Sequence, residues 1–278
     1  MTAERLLEAR GLLKAFGGLL AVNRVDFTIH TGEILALIGP NGAGKTTIFN
    51  LISGTHSLDS GEITFEGRPI VGLRPSQIAV LGVVRTFQNL QIFDNMTALE
   101  NVMVGCHLHG RTGFLSAALR LPWTGTEEVR LRSVAMEFLG VVGLEKRANV
   151  PAADLPFGQQ RLVEIARALA VRPKLLLLDE PAAGLTRVEA ELLNGLINHI
   201  KEEGITVCLV EHDMNLVMGI ADRIIVLQYG MLIADGSPEE VQSDATVIDA
   251  YLGVDWLADR HNQRLPSTIE ADNQADDA

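Results

Sequence analysis

The sequence predicts an α/β fold: a core with a mostly parallel sheet, an N-terminal antiparallel β subdomain and an inserted helical subdomain. Apolar runs at residues 34–38, 175–178 and 206–210 are typical of strands buried on both faces of a parallel sheet. Helix-like segments at 161–170 and 189–203 alternate with these runs, as in βαβ units. The regular alternation predicts the parallel core.

The antiparallel subdomain is predicted from the N-terminal region. Residues 5–30 predict short strands with turns at Gly17-Gly18 and at Asn23-Arg24. Apolar and polar residues alternate over 25–30, which is typical of a half-exposed antiparallel strand. A further β-like stretch at 62–65 lies between clusters of turn-forming residues. Together these stretches predict a small β subdomain beside the core.

The helical subdomain is predicted between about residues 89 and 160, where the sequence changes character. Helix-like stretches run from Thr97 to Val104 and from Thr126 to Val142, and the second carries apolar residues at helical spacing. Such apolar and methionine positions are more typical of a core than of a contact surface. We therefore predict a helical lobe inserted into the core.

The core is predicted to end with two more strands and a tail. Apolar stretches at 223–227 and 231–234 flank a turn at Gly230. From Asp259 onward the chain is polar and has no periodicity, which predicts mobility. The predicted organisation is thus one domain over residues 1–258 and a polar tail over 259–278.

Composition excludes several classes of protein. The net charge of −12 argues against the basic footprint of a nucleic-acid binder, and 5% aromatic residues argue against a surface that stacks single-stranded bases. Two distant cysteines, Cys106 and Cys208, predict neither a disulfide framework nor a zinc site and favour a cytoplasmic setting. No signal peptide is recognisable, and no apolar run approaches the ~20 residues that span a bilayer. Any membrane association is therefore expected to depend on a partner.

A run of residues after the first buried strand matches the phosphate-binding loop, or P-loop, pattern G-x-x-x-x-G-K-[ST]. It comprises Gly39, Pro40, Asn41, Gly42, Ala43, Gly44, Lys45 and Thr46, with Thr47 next. Glycines let backbone N–H groups surround an anion, and the following helix adds a favourable dipole. Lys45 can reach the β- and γ-phosphates, and the Thr46 hydroxyl can ligate Mg²⁺. The alternative is a glycine turn that happens to precede a lysine, but the flanking strand and helix favour nucleoside triphosphate binding.

Paired carboxylates follow the second buried run. Asp179 and Glu180 end an apolar strand, as expected of the companion to a P-loop. Asp179 would anchor Mg²⁺ through water, and Glu180 would polarise an attacking water. Acidic residues at strand ends are also common as helix caps, but the complete P-loop favours the catalytic interpretation.

Three further positions could complete the site. Gln88, between the core and the helical lobe, carries an uncharged amide that can ligate Mg²⁺ and position water. His212 follows another buried strand and could donate a hydrogen bond to a γ-phosphate. Taken singly, either residue is more often a surface or capping residue. A glycine turn at 155–159 opens into a helix, which gives a second anion-binding helix end. One chain cannot easily direct two such ends at one nucleotide, so this end implies a partner subunit.

These motifs resemble those of the ATP-binding subunits of ABC transporters, and nearly the whole chain takes part. The matching positions are Walker A at Gly39–Thr46 with Thr47, Walker B at Leu175–Glu180, the Q-loop at Gln88 and the switch histidine at His212. The resemblance implies a P-loop NTPase core with a RecA-like sheet, with ATP and Mg²⁺ as its ligands. It also implies that Phe16 stacks on adenine beside Val22, and that Gly158 and Gln159 of this chain act in trans, on the nucleotide of a second ATP-binding subunit.

Other stretches are similar to the LivG-type subunits that power bacterial branched-chain amino-acid uptake. They are Val84–Gln88, Glu180–Leu185, Glu211–Ile224, the insert from about Gly105 to Glu128, and Ile248–Gly253. This resemblance implies two integral membrane permease subunits, an indirect solute-binding partner and a place at the cytoplasmic face of the inner or plasma membrane. Urea- and amide-importer subunits are close relatives, so the class of transported substrate stays open.

Two departures from the family pattern concern the shared sites. Pro156 and Phe157 replace the usual serine and first glycine of the signature, and Thr186 stands where many relatives carry an aspartate. These changes favour a heterodimer whose two composite sites hydrolyse unequally. Soluble ABC proteins without a membrane partner usually carry two fused ATP-binding domains, whereas this chain has one Walker A. A DNA-repair ATPase is disfavoured by the charge and by the missing coiled-coil insert.

Overall fold

The computed structural model describes residues 4–88, 90–106 and 122–251. Its six-stranded sheet is the predicted parallel core. The strands are β3 (Ile34–Ile38), β6 (Val83–Arg85), β7 (Leu175–Asp179), β8 (Thr206–Val210), β9 (Arg223–Gln228) and β10 (Met231–Gly236), in the order β10-β9-β3-β8-β7-β6. All neighbours pair in parallel except β9 and β10. The predicted α/β fold class is confirmed.

The second sheet is antiparallel and has the order β2-β1-β4-β5. Its strands are β1 (Arg5–Phe16), β2 (Leu19–His30), β4 (Ser60–Phe65) and β5 (Arg68–Pro69). The prediction of short strands was wrong, since β1 and β2 each run for 12 residues. The turn at Gly17-Gly18 is confirmed, but the predicted turn at Asn23-Arg24 is a β-bulge: Leu12 pairs with Val25 and Leu13 with Asn23, which leaves Arg24 unpaired at φ +50°.

The described residues contain eight α-helices. They are α1 (Lys45–Ile52), α2 (Pro75–Leu81), α3 (Ala98–Cys106), α4 (Pro122–Val141), α5 (Phe157–Ala170), α6 (Arg187–Glu202), α7 (Met214–Ile220) and α8 (Pro238–Ser243). The predicted helix at 161–170 begins four residues early, so Gly158 lies in the first turn of α5 and not in a preceding turn. The predicted tail 259–278 and part of the insert at 105–128 lie outside the described residues.

Two apolar layers cover the parallel sheet. In β3 the side chains of Leu35 and Leu37 face the layer formed with α1 and the antiparallel sheet, while those of Ile34 and Ile38 face α5, α6 and α7. A third cluster joins α3, α4 and α5. Helix α5 therefore contributes to both the helical lobe and the core, and it physically links them.

Candidate nucleotide-binding site

The candidate site lies where neighbouring parallel strands end. Strand β3 leads into Gly39, β7 ends at Asp179, and β8 leads into Glu211 and His212. Because β3, β8 and β7 are adjacent and parallel, their carboxyl ends share one edge of the sheet. Ligands of open α/β sheets bind at such edges.

The P-loop is shaped by glycines that no other residue fits. Gly39 and Gly44 have φ angles of +146° and +105°, which L side chains rarely adopt. A Cβ on Gly39 would overlap the carbonyl oxygen of Leu227, and one on Gly44 would overlap that of Ala21. Helix α1 begins directly at Lys45, and no side chain of the described residues caps it. Its first N–H groups are thus the natural donors for an anion.

Lys45 is buried at the base of this loop. Its side-chain Nζ donates to the carbonyl oxygens of Gly39 at 2.6 Å and Pro40 at 3.0 Å. Burial lowers the pKa of Lys45, and the nearby charges of Glu180 and Asp179 partly oppose that shift. The loop therefore holds a desolvated cation, which strengthens its attraction for phosphate.

A cavity of about 460 Å³ brings most of the predicted site residues together. It is lined by Asn41–Thr47, Gln88, Glu180 and His212, and by Leu19, Leu20, Ala21 and Tyr229. The last four were missed from the sequence. Leu19 and Tyr229 are largely exposed, so they offer apolar area at the mouth of the cavity. The only sequence features that could have pointed to these residues are the neighbouring turns at Gly17-Gly18 and Gly230.

Phe16 and Val22 lie differently from the other predicted residues. Phe16 ends β1 half-exposed, with its ring centroid 5.4 Å from that of His56, and it is not among the residues that line the cavity. Val22 is fully buried, and its Cγ2 lies 3.6 Å from the position that a Cβ on Gly44 would take. As adenine contacts, Phe16 and Val22 both remain predictions.

Glu180 contacts both Gln88 and His212, the two residues that, taken singly, are more often surface or capping residues. Its Oε2 accepts from Gln88 Nε2 at 2.8 Å, and its Oε1 lies 2.8 Å from His212 Nε2. An ionised carboxylate can only accept, so in that state of Glu180 the donor of this bond is His212 Nε2. The backbone of Glu180 has φ +48°, a strained conformation of the kind that clusters at functional sites.

Asp179 is buried and only partly satisfied. Its Oδ2 accepts from Arg85 Nη2 at 2.6 Å, while Oδ1 has no hydrogen-bond partner among the described residues. A buried carboxylate oxygen without a donor is costly unless something else binds it. Together with the Thr46 hydroxyl in the first turn of α1, this oxygen donor set fits a hydrated Mg²⁺.

Glu211 supports the segments that carry Glu180 and His212, a role that the sequence analysis did not predict. It is buried and accepts from the N–H groups of Ala182 at 2.8 Å and His212 at 3.1 Å. Burial raises its pKa, and the negative charge of Glu180 adds to that effect, while the backbone donors oppose it. Glu211 thereby ties together the two segments that present the candidate catalytic pair.

Arg161 is a second missed residue, and it holds the backbone of the Q-loop. Its guanidinium donates to the carbonyl oxygens of Phe87 at 2.9 Å and Gln88 at 3.0 Å, and it pairs with Glu164 at 2.8 Å. The side chain is almost fully buried. Since Arg161 belongs to α5, this contact joins the helical lobe directly to Gln88.

The start of α5, which is the second glycine-containing helix end, lies outside the lining of the P-loop cavity. A Cβ on Gly158 would overlap the Glu189 carboxylate, and a Cβ on Gly184 would contact the Phe157 ring, so the start of α5 packs beside the start of α6. Gly158 and Gln159 are not among the lining residues of the P-loop cavity. Thr186 caps α6 in a capping box: its hydroxyl accepts from the Glu189 N–H, and its own backbone N–H donates to Glu189 Oε2 at 2.8 Å.

A P-loop at a strand-to-helix turn, a buried acid after an adjacent strand and a glutamate held by an amide and an imidazole define a P-loop nucleoside triphosphatase. Comparison with known proteins narrows this class. Residues 22–183 match the ABC transporter family, and residues 231–256 match the family described as branched-chain amino acid ATP-binding cassette transporter. The chain belongs to the ATP-binding subunits of ABC transporters.

Relatives cover nearly the whole chain. It is 46% identical over 249 residues to BraF of Pseudomonas aeruginosa, a high-affinity branched-chain amino acid transport ATP-binding protein, and covers 98% of it with 89% of its own length. It is 44% identical over 252 residues to LivG of Escherichia coli K12, which bears the same description, with 90% and 99% covered.

Solved ABC cassettes share the fold. The ADP conformation of MJ1267 superposes with a TM-score of 0.78 at 32% identity, covering 90% of this chain and 99% of that one. The dimeric post-hydrolysis state of MJ0796 with ADP and Pi gives 0.71 at 27% identity, covering 84% and 98%. No described helix of this chain combines the length and apolarity that a bilayer crossing needs. The family match and these relatives show that the chain is an ATPase component of a membrane transporter.

Proposed function

We propose that this chain hydrolyses ATP at a shared dimer interface to drive import of branched-chain amino acids. The observation that carries the catalytic part is Glu180, held by Gln88 and His212 at 2.8 Å each beside the P-loop. The names of the BraF and LivG relatives and the match over residues 231–256 support the substrate class.

In this proposal each residue of the site has one role. The backbone N–H groups of Gly39 and of residues 41–47, together with the Lys45 ammonium, bind the phosphates of ATP. Glu180 orients the attacking water, and His212 donates to the γ-phosphate. Thr46, Asp179 and Gln88 would hold Mg²⁺, which supplies charge neutralisation between the β- and γ-phosphates when bound.

The assembly is proposed to be a heterodimer on two permease subunits. Gly158 and Gln159 lie at a helix end that does not line this chain's own cavity, so we propose that they bind the nucleotide of a partner ATP-binding subunit. The subunit would sit peripherally at the cytoplasmic face of the membrane, and a solute-binding protein would act indirectly. The ATP-binding domain is proposed over residues 1–258, with the helical subdomain about 89–160 inserted and the tail at 259–278.

The test of the catalytic part is Glu180→Gln in the assembled transporter. The amide keeps the size of the side chain but is not a base, so turnover should fall by about 10²–10⁴-fold while ATP affinity stays close to wild type. The matched control is Glu191→Gln, an exposed carboxylate paired with Arg187 on α6, which should change neither quantity. Near wild-type hydrolysis by Glu180→Gln would refute the assignment.

The substrate class is tested separately in proteoliposomes that contain the cognate permeases and binding protein. ATP-dependent uptake of radiolabelled leucine, isoleucine or valine is expected. Uptake of urea or short amides with no transport of leucine would instead support the related importer class. Copurification of the chain with ribosomes or DNA, and with no membrane subunit, would overturn the transport proposal altogether.

A further inference from the structure

Arg85 connects three parts of the candidate site. It is the last residue of β6 and lies three residues before Gln88; in the sheet it pairs with Leu177, two residues before Asp179. Its side chain is only 6% exposed, and that of Asp179 is 1% exposed. The pair is therefore an ion pair inside the protein and not at its surface.

The guanidinium distributes its donors between two elements. One nitrogen, Nη2, donates to Asp179 Oδ2 at 2.6 Å. The other, Nη1, donates to Asn50 Oδ1 at 2.6 Å and to Ser53 Oγ at 3.3 Å, both at the end of the P-loop helix α1. The group also lies 5.3 Å from the centroid of the Phe87 ring, next to Gln88.

Stability alone does not account for this arrangement. Desolvating two charges often costs as much as their attraction returns, and well-packed apolar replacements of buried pairs can be neutral or stabilising. Here Arg85 Nε lacks a hydrogen-bond partner among the described residues, which adds to the cost. What the pair does provide is orientation, because a planar fork anchored on α1 fixes the position of the carboxylate it binds.

The orientation has a specific consequence for Asp179. Arg85 occupies Oδ2 and leaves Oδ1 as a buried acceptor without a partner in the described chain. We propose that Arg85 is a positioning residue for the cation site: it locks the Asp179 carboxylate against the P-loop helix so that Oδ1 remains available to a hydrated divalent cation. This inference rests on the proposed ATPase site. Within that site, Arg85 supports the binding of the divalent cation and not the binding of the phosphates.

The test compares the Mg²⁺ dependence of ATP binding in Arg85→Lys and in wild type. Lysine keeps the charge, but its single ammonium lacks the fork that reaches Asp179 and Asn50 together. Removing such supporting partners typically weakens metal sites by about 10–100-fold, so the Mg²⁺ concentration for half-maximal ATP binding should rise by that factor. Calorimetry measures ATP binding in both cases. In EDTA the ATP affinity of the variant should match that of wild type, which would show that its P-loop is folded.

Arg223→Lys is the matched control. Arg223 also binds a carboxylate through its fork, since its Nε and Nη2 donate to the two oxygens of Asp235 at 2.6 and 2.7 Å, but it is not among the residues that line the P-loop cavity. Its variant should lower the thermal unfolding temperature without moving the Mg²⁺ midpoint. In the Asp179→Asn background, Arg85→Lys should cause no further shift of that midpoint, since the two residues act as one unit.

An unchanged Mg²⁺ midpoint in Arg85→Lys would overturn the inference. So would a loss of ATP affinity in EDTA as large as that in Mg²⁺, because Arg85 would then support the P-loop as a whole. Failure of the proposed function looks different: the wild-type chain would itself show no Mg²⁺-dependent ATP binding.

Discussion

Helices α1 and α5 both begin at glycine-containing ends, yet the protein uses the two ends in different ways. At the start of α1, Gly39 and Gly44 hold positive φ angles against rigid backbone oxygens, and the N–H groups border the cavity. At the start of α5, Gly158 has no positive φ, and the nearest obstacle to a side chain is the Glu189 carboxylate, the end of a flexible side chain.

The comparison separates a helix end that is joined to the other candidate site residues from one that is not. The α1 end carries its own cation in Lys45 and is joined to the candidate catalytic residues Gln88, Glu180 and His212 through the cavity they share. The α5 end packs on its own α6 and borders no part of that cavity. A helix N-terminus therefore indicates an anion site only together with what surrounds it.

The largest expected effect contrasts Lys45→Ala with Gln159→Ala. Removing the buried ammonium should reduce ATPase activity by about 10²–10³-fold, as for other preorganised charge stabilisers, and should weaken ATP binding by the isolated chain. Gln159→Ala should leave ATP affinity of the isolated chain unchanged and lower hydrolysis only in the assembled transporter. Calorimetry on the chain and phosphate release by the complex measure the two effects.

Weaker ATP binding by the isolated Gln159→Ala chain would contradict the comparison, because the α5 end would then belong to this chain's own site. A loss of hydrolysis in both variants without any loss of ATP binding in Lys45→Ala would contradict the role of the lysine.

A smaller effect on stability is expected from the glycines themselves. Gly44→Ala should cost about 2–4 kcal/mol of unfolding free energy, because it strains the backbone and overlaps the Ala21 carbonyl oxygen. Gly158→Ala should cost about 1 kcal/mol, the typical value of a helix cap, since Glu189 can move aside at the expense of its capping box. Urea unfolding followed by circular dichroism gives both values.

The matched control for the glycines is Gly195→Ala in the middle of α6. Apart from the backbone of its own helix and its chain neighbours, no atom of the described residues lies within 4 Å of the position of its Cβ, and its φ is not positive. Alanine should stabilise that helix by about 0.5–1 kcal/mol. If Gly158→Ala costs as much as Gly44→Ala, the end of α5 is as rigid as the P-loop and the distinction between the two ends fails.

The same contrast explains how far the sequence could predict the structure. The buried strands and the P-loop are local patterns, so β3 and β8 were predicted with their observed bounds. The supporting contacts join distant residues: Arg85 and Asp179 are 94 positions apart, and Arg161 and Phe87 are 74 apart. No periodicity or motif spacing connects such pairs, since only the parallel order of β6, β7 and β8 and the packing of α5 bring them together. The bulge at Arg24 was misread as a turn because turn-forming residues also favour bulges.

The smallest expected effect is a difference in pH dependence between the two regions. Near the P-loop, burial raises the pKa of Glu211 above its usual 4.5. Near the α5 end, hydrogen bonds from the Thr186 N–H and then its hydroxyl lower the pKa of the half-buried Glu189 below 4.5. The stability that Glu211 contributes is therefore fully present below pH 4.5 and is lost as pH rises through its raised pKa. The stability from Glu189 is present above pH 4.5 and is lost as pH falls through its lowered pKa.

Glutamine at either position removes the titration, so the two variants should respond to pH in opposite directions. Relative to wild type, Glu211→Gln should gain stability as pH rises from 4.5 to 7. Glu189→Gln should have its largest deficit at pH 7 and a smaller one below pH 4.5. Urea unfolding of both variants and of wild type across this range measures the differences. Parallel curves for the two variants would show that Glu211 is as well solvated as Glu189. In that case Glu211 would not be the desolvated carboxylate that its buried contacts with the Glu180 and His212 segments indicate.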